Sequence, residues 1–186
     1  MPSPAPRWVR SGRGSTRIPA HERLTGSALQ IDASGQYNIY AKNFLTEKAI
    51  QGDFTLTSQL SFNPTSQYEE VAIAAYEDPT HLVKVDLINT GTPSAPREVF
   101  EITSQVGSTY VVGQLANPFD LTKPFYLQLT RISGVYYGFA SADGAHWLRI
   151  GFASPAITPA VVGLSAFYNQ LPIQTAQFYS CILNSI

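Results

Sequence analysis

Val71-Ala-Ile-Ala-Ala-Tyr-Glu-Asp-Pro-Thr-His-Leu-Val-Lys-Val-Asp-Leu87 is the stretch on which the fold class turns. Each half alternates with a period of two, the pitch of a strand, and Glu77–His81 with Pro79 breaks the run into a turn. Folded back as a hairpin, Val71, Ile73 and Ala75 stand opposite Leu87, Val85 and Val83 on one apolar face. The other face sets Ala72, Ala74 and Tyr76 opposite Asp86, Lys84 and Leu82. The first face reads as core. The second is a polar surface with room above two alanines, the make-up of a ligand groove.

Working outward, β-rich runs bounded by turn residues cover 28–32, 36–41, 53–62, 70–77, 81–89, 97–104, 108–114, 124–132, 134–141, 146–152, 160–169 and 174–184. Their spacing is that of sandwiches and barrels. Apolar residues at helical spacing do not persist for three turns anywhere, so long helices are excluded. Ser133-Gly134 predicts a tight hairpin turn, and Asp143-Gly144 a second one with both residues at positive φ. Gly91–Pro96 reads as a long loop.

Alternation extends the groove. On 124–132 it turns Phe125, Leu127 and Leu129 inward and Tyr126, Gln128 and Thr130 outward. Tyr137 and Phe139 follow on the Thr130/Gln128 side. On 97–105 Phe100 and Ile102 are inward, and Glu101 and Thr103 outward. If these outward sets share one sheet, one groove holds Tyr76, Lys84, Asp86, Glu101, Gln128 and Tyr137 as ligand-binding residues.

The bulk properties bound the function. The chain has 186 residues, 44% of them hydrophobic and only 13% charged, which suits one domain with a sizeable core. A net charge of −1 argues against nucleic-acid binding. Yet Arg7, Arg10, Arg13, Arg17 and Arg23 precede residue 24, with Glu22 the one acid among them. Residues 1–26 therefore read as an irregular Arg/Pro/Gly-rich arm, either simply solvated or turned toward an anionic partner, and 27–186 as the folded domain. Contact through that arm with a partner protein or a second copy is one expectation. Cys181 excludes an intrachain disulfide and reads as a small buried hydrophobe. No apolar run is long enough to span a membrane, and the N-terminus lacks a secretory h-region. Cytoplasmic residence, or secretion of a chain whose signal has been removed, both fit.

The chemistry-bearing residues form no catalytic signature. Glu69 and Glu70 are adjacent and point apart, as do Glu98 and Glu101 by parity; Asp86 and Glu101 meet only if the topology pairs their strands. Tyr, Gln, Lys84, Arg97 and Arg131 supply the parts of a uronate lyase without defining a site. His21, His81 and His146 are isolated, so zinc is not expected. Ser141-Ala-Asp-Gly-Ala-His-Trp147 resembles an Asp-box turn, in which the Asp braces the turn and the Trp packs beneath it. A sugar-stacking Trp147 is the alternative.

Several stretches resemble concanavalin A-like lectin/glucanase β-sandwiches, in particular the β-sandwich appended to family 43 glycoside hydrolases and related stand-alone domains of unknown function. The resemblance is carried by Asn43-Phe-Leu with Gly52-Asp-Phe-Thr-Leu-Thr-Ser-Gln-Leu-Ser-Phe62, similar to an early strand pair of those domains, by the 71–85 hairpin, by Leu127–Trp147, by Val162-Gly-Leu-Ser-Ala166 and by Ala176-Gln-Phe178. It covers residues 27–186 and implies an all-β, antiparallel two-sheet sandwich (jelly roll). Many relatives place an Asp after the closing Phe, in some of them beside a calcium ion; here that position is Tyr179, so no metal and no cofactor are expected. The function so implied is noncatalytic binding of a carbohydrate or small polar ligand. A glycan-active enzyme (lyase, hydrolase or isomerase) in the same groove, or a structural and interaction module, are the alternatives.

Overall fold

The computed structural model describes residues 22–33, 44–167 and 174–186. These build two antiparallel sheets and no helix, so none is long and apolar enough to cross a membrane. In chain order the strands are β1 (Glu22–Thr25), β2 (Ala28–Asp32), β3 (Phe44–Lys48), β4 (Phe54–Ser61), β5 (Glu70–Asp78), β6 (His81–Asn89) and β7 (Glu98–Val106). They continue with β8 (Ser108–Ala116), β9 (Phe125–Ile132), β10 (Val135–Ser141), β11 (Leu148–Ala153), β12 (Val161–Phe167) and β13 (Thr175–Ser185).

The first sheet has the order β1-β2-β13-β4-β9-β10-β11 and the second β3-β12-β5-β6-β7-β8. Alternation decides what each contributes to the space between them. Phe54, Leu56, Leu60, Phe125, Leu127, Leu129, Tyr136 and Phe178 come from the first sheet. Val71, Ile73, Val83, Val85, Leu87, Phe100, Ile102 and Leu164 come from the second; all sixteen are essentially inaccessible to solvent. Burying a side chain of this size is worth roughly 1.5–3 kcal/mol, so this layer supplies the main drive for folding. At one end the sheets close on each other where β8 meets β11. A Cβ on Gly113 would lie 2.7 Å from the Gly151 Cα, so both positions must be glycine for the backbones to approach.

The hairpins follow their turn chemistry. Asp78 accepts from the Thr80 N–H at 2.7 Å and from its hydroxyl at 2.8 Å, which braces the Pro79-Thr80 turn between β5 and β6. Ser133 and Gly134 take φ of 51° and 80°, the two positive values that a tight primed turn needs.

Three expectations change. Residues 22–25, inside the stretch expected to be irregular, form β1 and pair with β2 across the Gly26-Ser27 turn. Asp143-Gly144 is not a two-residue turn: only Gly144 has positive φ, and six residues separate β10 from β11. Asp143 builds that wider loop by accepting from the N–H groups of Ala145 and His146, each at 2.8 Å, while its carboxylate also meets His146 Nδ1 at 2.7 Å. Strand β3 is too short to show in the periodicity, but it lies where the resemblance at Asn43-Phe-Leu implied a strand. The run at 36–41 lies outside the described residues.

Candidate functional site

The outward face of the second sheet carries the chemistry. Antiparallel registers place residues side by side across it. One row runs through all six strands as Phe44, Ser165, Ala72, Asp86, Glu101 and Gln114. The next runs Thr46, Gly163, Ala74, Lys84 and Thr103. A third includes Val161, Tyr76, Leu82 and Gln105.

These rows divide the face in two. Toward β3 and β12 it is apolar: Ala72, Ala74, Leu82 and Phe167 form one buried cluster, so the open room expected above the two alanines is absent, and Phe44 and Tyr76 pack against the cluster and meet each other edge-to-face at 5.8 Å. Gly163 keeps Phe44 low. A Cβ there would come within 2.3 Å of the Leu45 carbonyl oxygen and 2.7 Å of the Phe44 ring. The acids gather across β5, β6 and β7, where Glu70 and Asp86 hold Lys84 and Glu101 stands beside Asp86.

Lys84 binds Glu70 through a short charge-assisted hydrogen bond and stands 2.9 Å from Asp86 Oδ2. The second contact is an ion pair without hydrogen-bond geometry, so both Asp86 oxygens lack a hydrogen-bond donor. Glu101 accepts from the Gln114 side-chain amide at 2.6 Å, and Gln114 in turn accepts from Arg97 at 3.2 Å. Asp86 is 0% exposed and Glu101 7%. Ser165, two strands from Asp86 with Ala72 between them, is also fully buried and its hydroxyl has no partner.

Burial pushes the Asp86 carboxyl well above the usual carboxylate range; Lys84 opposes this, but Glu70 and Glu101 reinforce it. Burial also works against the Lys84 ammonium, yet Asp86 and Glu70 outweigh it and hold Lys84 above its ordinary value. The partners thus move in the same direction. Lys84 sees two acids, whereas Asp86 sees one ammonium and two competing carboxylates. Among the described residues no three of His, Cys, Asp and Glu converge to hold a metal ion.

Of the six expected site residues, Tyr76, Lys84, Asp86 and Glu101 lie together on this face. Gln128 and Tyr137 do not. They belong to β9 and β10 in the first sheet, on the opposite outer surface of the sandwich. There Gln128 donates to the Thr57 hydroxyl at 3.0 Å. Tyr137 packs against Phe152 at 6.3 Å, with the Arg149 guanidinium 5.3 Å above its ring. Strand parity correctly told outward from inward but could not tell which sheet a strand joins. Trp147 also lies on that side and meets Tyr126 edge-on at 6.3 Å, a packing contact at the base of the Asp143 turn.

Sequence reasoning passed over Glu70, Gln114, Ser165 and Phe44. Glu70 was legible, because it shares the parity of Ala72 and Ala74. Ser165 and Phe44 were not, since only the β3–β12–β5 pairing carries them beside the hairpin.

Neither a family model nor a curated protein matches this chain. Solved structures do. The GH43 protein BlXynB of Bacillus licheniformis is similar at 15% identity with a TM-score of 0.76, over 92% of this chain and 36% of that one. A functionally unknown protein from Saccharomyces cerevisiae is similar at 14% identity and a TM-score of 0.72, over 91% of this chain and 94% of that one. The carbohydrate-binding module CBM66 from Bacillus subtilis is similar at 13% identity and a TM-score of 0.56, over 88% and 91%. This chain spans about a third of the length of the hydrolase it matches. With its two antiparallel sheets and these similarities, the chain has the fold of the concanavalin A-like β-sandwiches.

Proposed function

We propose that this protein binds a carbohydrate, without cleaving it, on the outward face of the second sheet. The supporting observation is the division of that face. An apolar strip ending in Phe44 and Tyr76 lies beside an acidic strip of Glu70, Asp86 and Glu101. A sugar ring has the matching form, with a C–H face that packs on aromatic rings and hydroxyl edges that donate to carboxylates. Similarity to a carbohydrate-binding module and to a glycoside hydrolase fits the same reading. In this reading Tyr76 packs on the ring, Glu101 accepts from hydroxyls, and the buried Asp86 with Lys84 supports the acidic side from beneath.

The arrangement of the acids favours binding over hydrolysis. Glycoside hydrolysis needs two carboxyl groups on either side of the scissile bond. Asp86 and Glu101 are direct cross-strand neighbours pointing the same way, with Cβ atoms roughly 5 Å apart, so they form one wall and not two. Isothermal titration against a panel of mono- and oligosaccharides tests the proposal. Binding that is lost in Tyr76→Ala and Glu101→Ala, with no reducing sugar released from polysaccharides, is the expected result. Release of product that disappears in Asp86→Asn would replace it with the enzymatic reading.

A further inference from the structure

A sheet ends in two edge strands, and an edge strand offers its unpaired backbone N–H and C=O groups to any strand that comes beside it. Here the edges are β1 and β11 in the first sheet and β3 and β8 in the second. Three of the four carry charge, a common guard against edge-to-edge pairing: Glu22 and Arg23 on β1, Glu47 and Lys48 on β3, and Arg149 on β11. Strand β8 carries none. From Ile102 to Phe119 the chain has no charged residue, and no proline before Pro118. The side chains of this edge are also open to solvent. Val106, Tyr110, Val111 and Val112 are 42–61% exposed, so four of the eleven large apolar side chains exposed among the described residues fall within seven positions. A bulge opposite Ile102 and Thr103 leaves Val112 without a cross-strand neighbour, and so adds one more apolar side chain to the run. The open stretch has definite ends. Gly107 precedes the strand, and at Gly113 β11 packs against it. Ser108–Val112 is left free, with Tyr110 at its midpoint.

We infer that the protein self-associates as a two-fold dimer in which the Ser108–Val112 edges of two copies pair antiparallel. A second copy is the occupant that fits. The open backbone groups call for another strand, and a two-fold axis at Tyr110 supplies one of equal length. It sets Ser108 opposite Val112, and Tyr110 opposite its own counterpart. A charge at such an axis would meet its like, and β8 brings none there. Arg97 reaches β8 at Gln114, beyond Gly113 and outside the paired stretch. Aromatic and β-branched cross-strand pairs then add to the backbone bonds. The two six-stranded sheets run on as one sheet of twelve strands, with both outward faces on the same side. The dimer is independent of what those faces bind.

The test is sedimentation velocity on the full chain, from micromolar to near-millimolar concentration. A concentration-dependent monomer–dimer equilibrium is expected. Val111→Lys puts two ammonium groups near the axis and should weaken the dimer by at least about tenfold. Ile182→Lys alters a comparably exposed apolar side chain on β13 and should leave the equilibrium unchanged. Circular dichroism checks that both variants fold. The register has its own readout. Directly opposed residues bring their Cα atoms within disulfide reach, about 4.4–6.8 Å. Tyr110→Cys in a Cys181→Ser background should therefore form a disulfide-linked dimer on mild oxidation, whereas Ile182→Cys in the same background should not. A chain that stays monomeric at every concentration overturns the inference and leaves this edge to a strand of another protein. A dimer that survives Val111→Lys, or that Ile182→Lys weakens equally, overturns it by placing the interface elsewhere. A dimer that Val111→Lys dissolves but Tyr110→Cys does not link overturns the two-fold register.

Discussion

Replacing Lys84 with Met keeps the aliphatic stem and removes the cation that pairs with Glu70 and Asp86. Breaking a buried ion pair by deleting one partner costs about 3–5 kcal/mol, because the surviving charge stays desolvated. Lys84 retains 16% side-chain exposure and its own desolvation penalty vanishes with it. The lower end, about 3 kcal/mol, is therefore expected near pH 8. With a urea dependence of about 2 kcal/mol/M, the midpoint should fall by about 1.5 M. The loss should also depend on pH. A carboxyl whose folded pKa lies above its unfolded value favours the folded state fully at low pH. That contribution drains away as the pH rises through the raised value. Asp86 is already such a group, and losing Lys84 pushes it higher, so the deficit of the variant should grow from pH 5 to pH 8. Equilibrium urea unfolding followed by tryptophan fluorescence measures both effects. The double variant Lys84→Met/Asp86→Asn should recover at least half of the loss at pH 8. A single variant within about 0.5 kcal/mol of wild type at both pH values would refute the buried charge network.

Two further outcomes follow from the geometry. Gly163→Ala drives a Cβ against the Leu45 carbonyl and the Phe44 ring, so it should cost about 1–3 kcal/mol. The loss should appear first as faster amide exchange in β3, and unchanged β3 protection would argue against the clash. Asp143→Ala removes the acceptor for two backbone N–H groups and for His146, and should lower the melting temperature. The Asp143 carboxylate raises the His146 pKa, first by its hydrogen bond and then by its charge. Stability from that contact is present below the ordinary histidine pKa and is lost as pH climbs through the raised value. An NMR titration should find the His146 midpoint above the ordinary histidine value in wild type and back near it in the variant; equal midpoints would break the link.

The 71–87 hairpin was legible because three signals in it agree. Period-two alternation, a proline-containing turn, and β-branched residues confined to one parity leave a single register, and the structure adopts it. Inward and outward residues of β7, β9 and β10 were legible for the same reason. Neighbouring strands were not. Parity is a property of one strand, whereas a site is a property of a sheet, and in a two-layer fold an outward residue has two outer surfaces available. Gln128 and Tyr137 fell on the surface that β4 and β13 build with β9, since nothing within residues 124–141 states which partner lies beside them. Asp86 and Glu101 fared better because β6 and β7 are consecutive, and consecutive strands in antiparallel folds usually pair. The same limit explains Ser165. A lone serine between Leu164 and Ala166 reads as ordinary strand filler until β12 is laid beside β5. It then shares a row with Asp86, one alanine away, and its hydroxyl is unused. β12, from far along the chain, thus adds its residue to a row whose β5 and β6 members come from one hairpin. The site is therefore an outcome of strand order more than of any local motif, which is why motif reading finds its members and not its boundary.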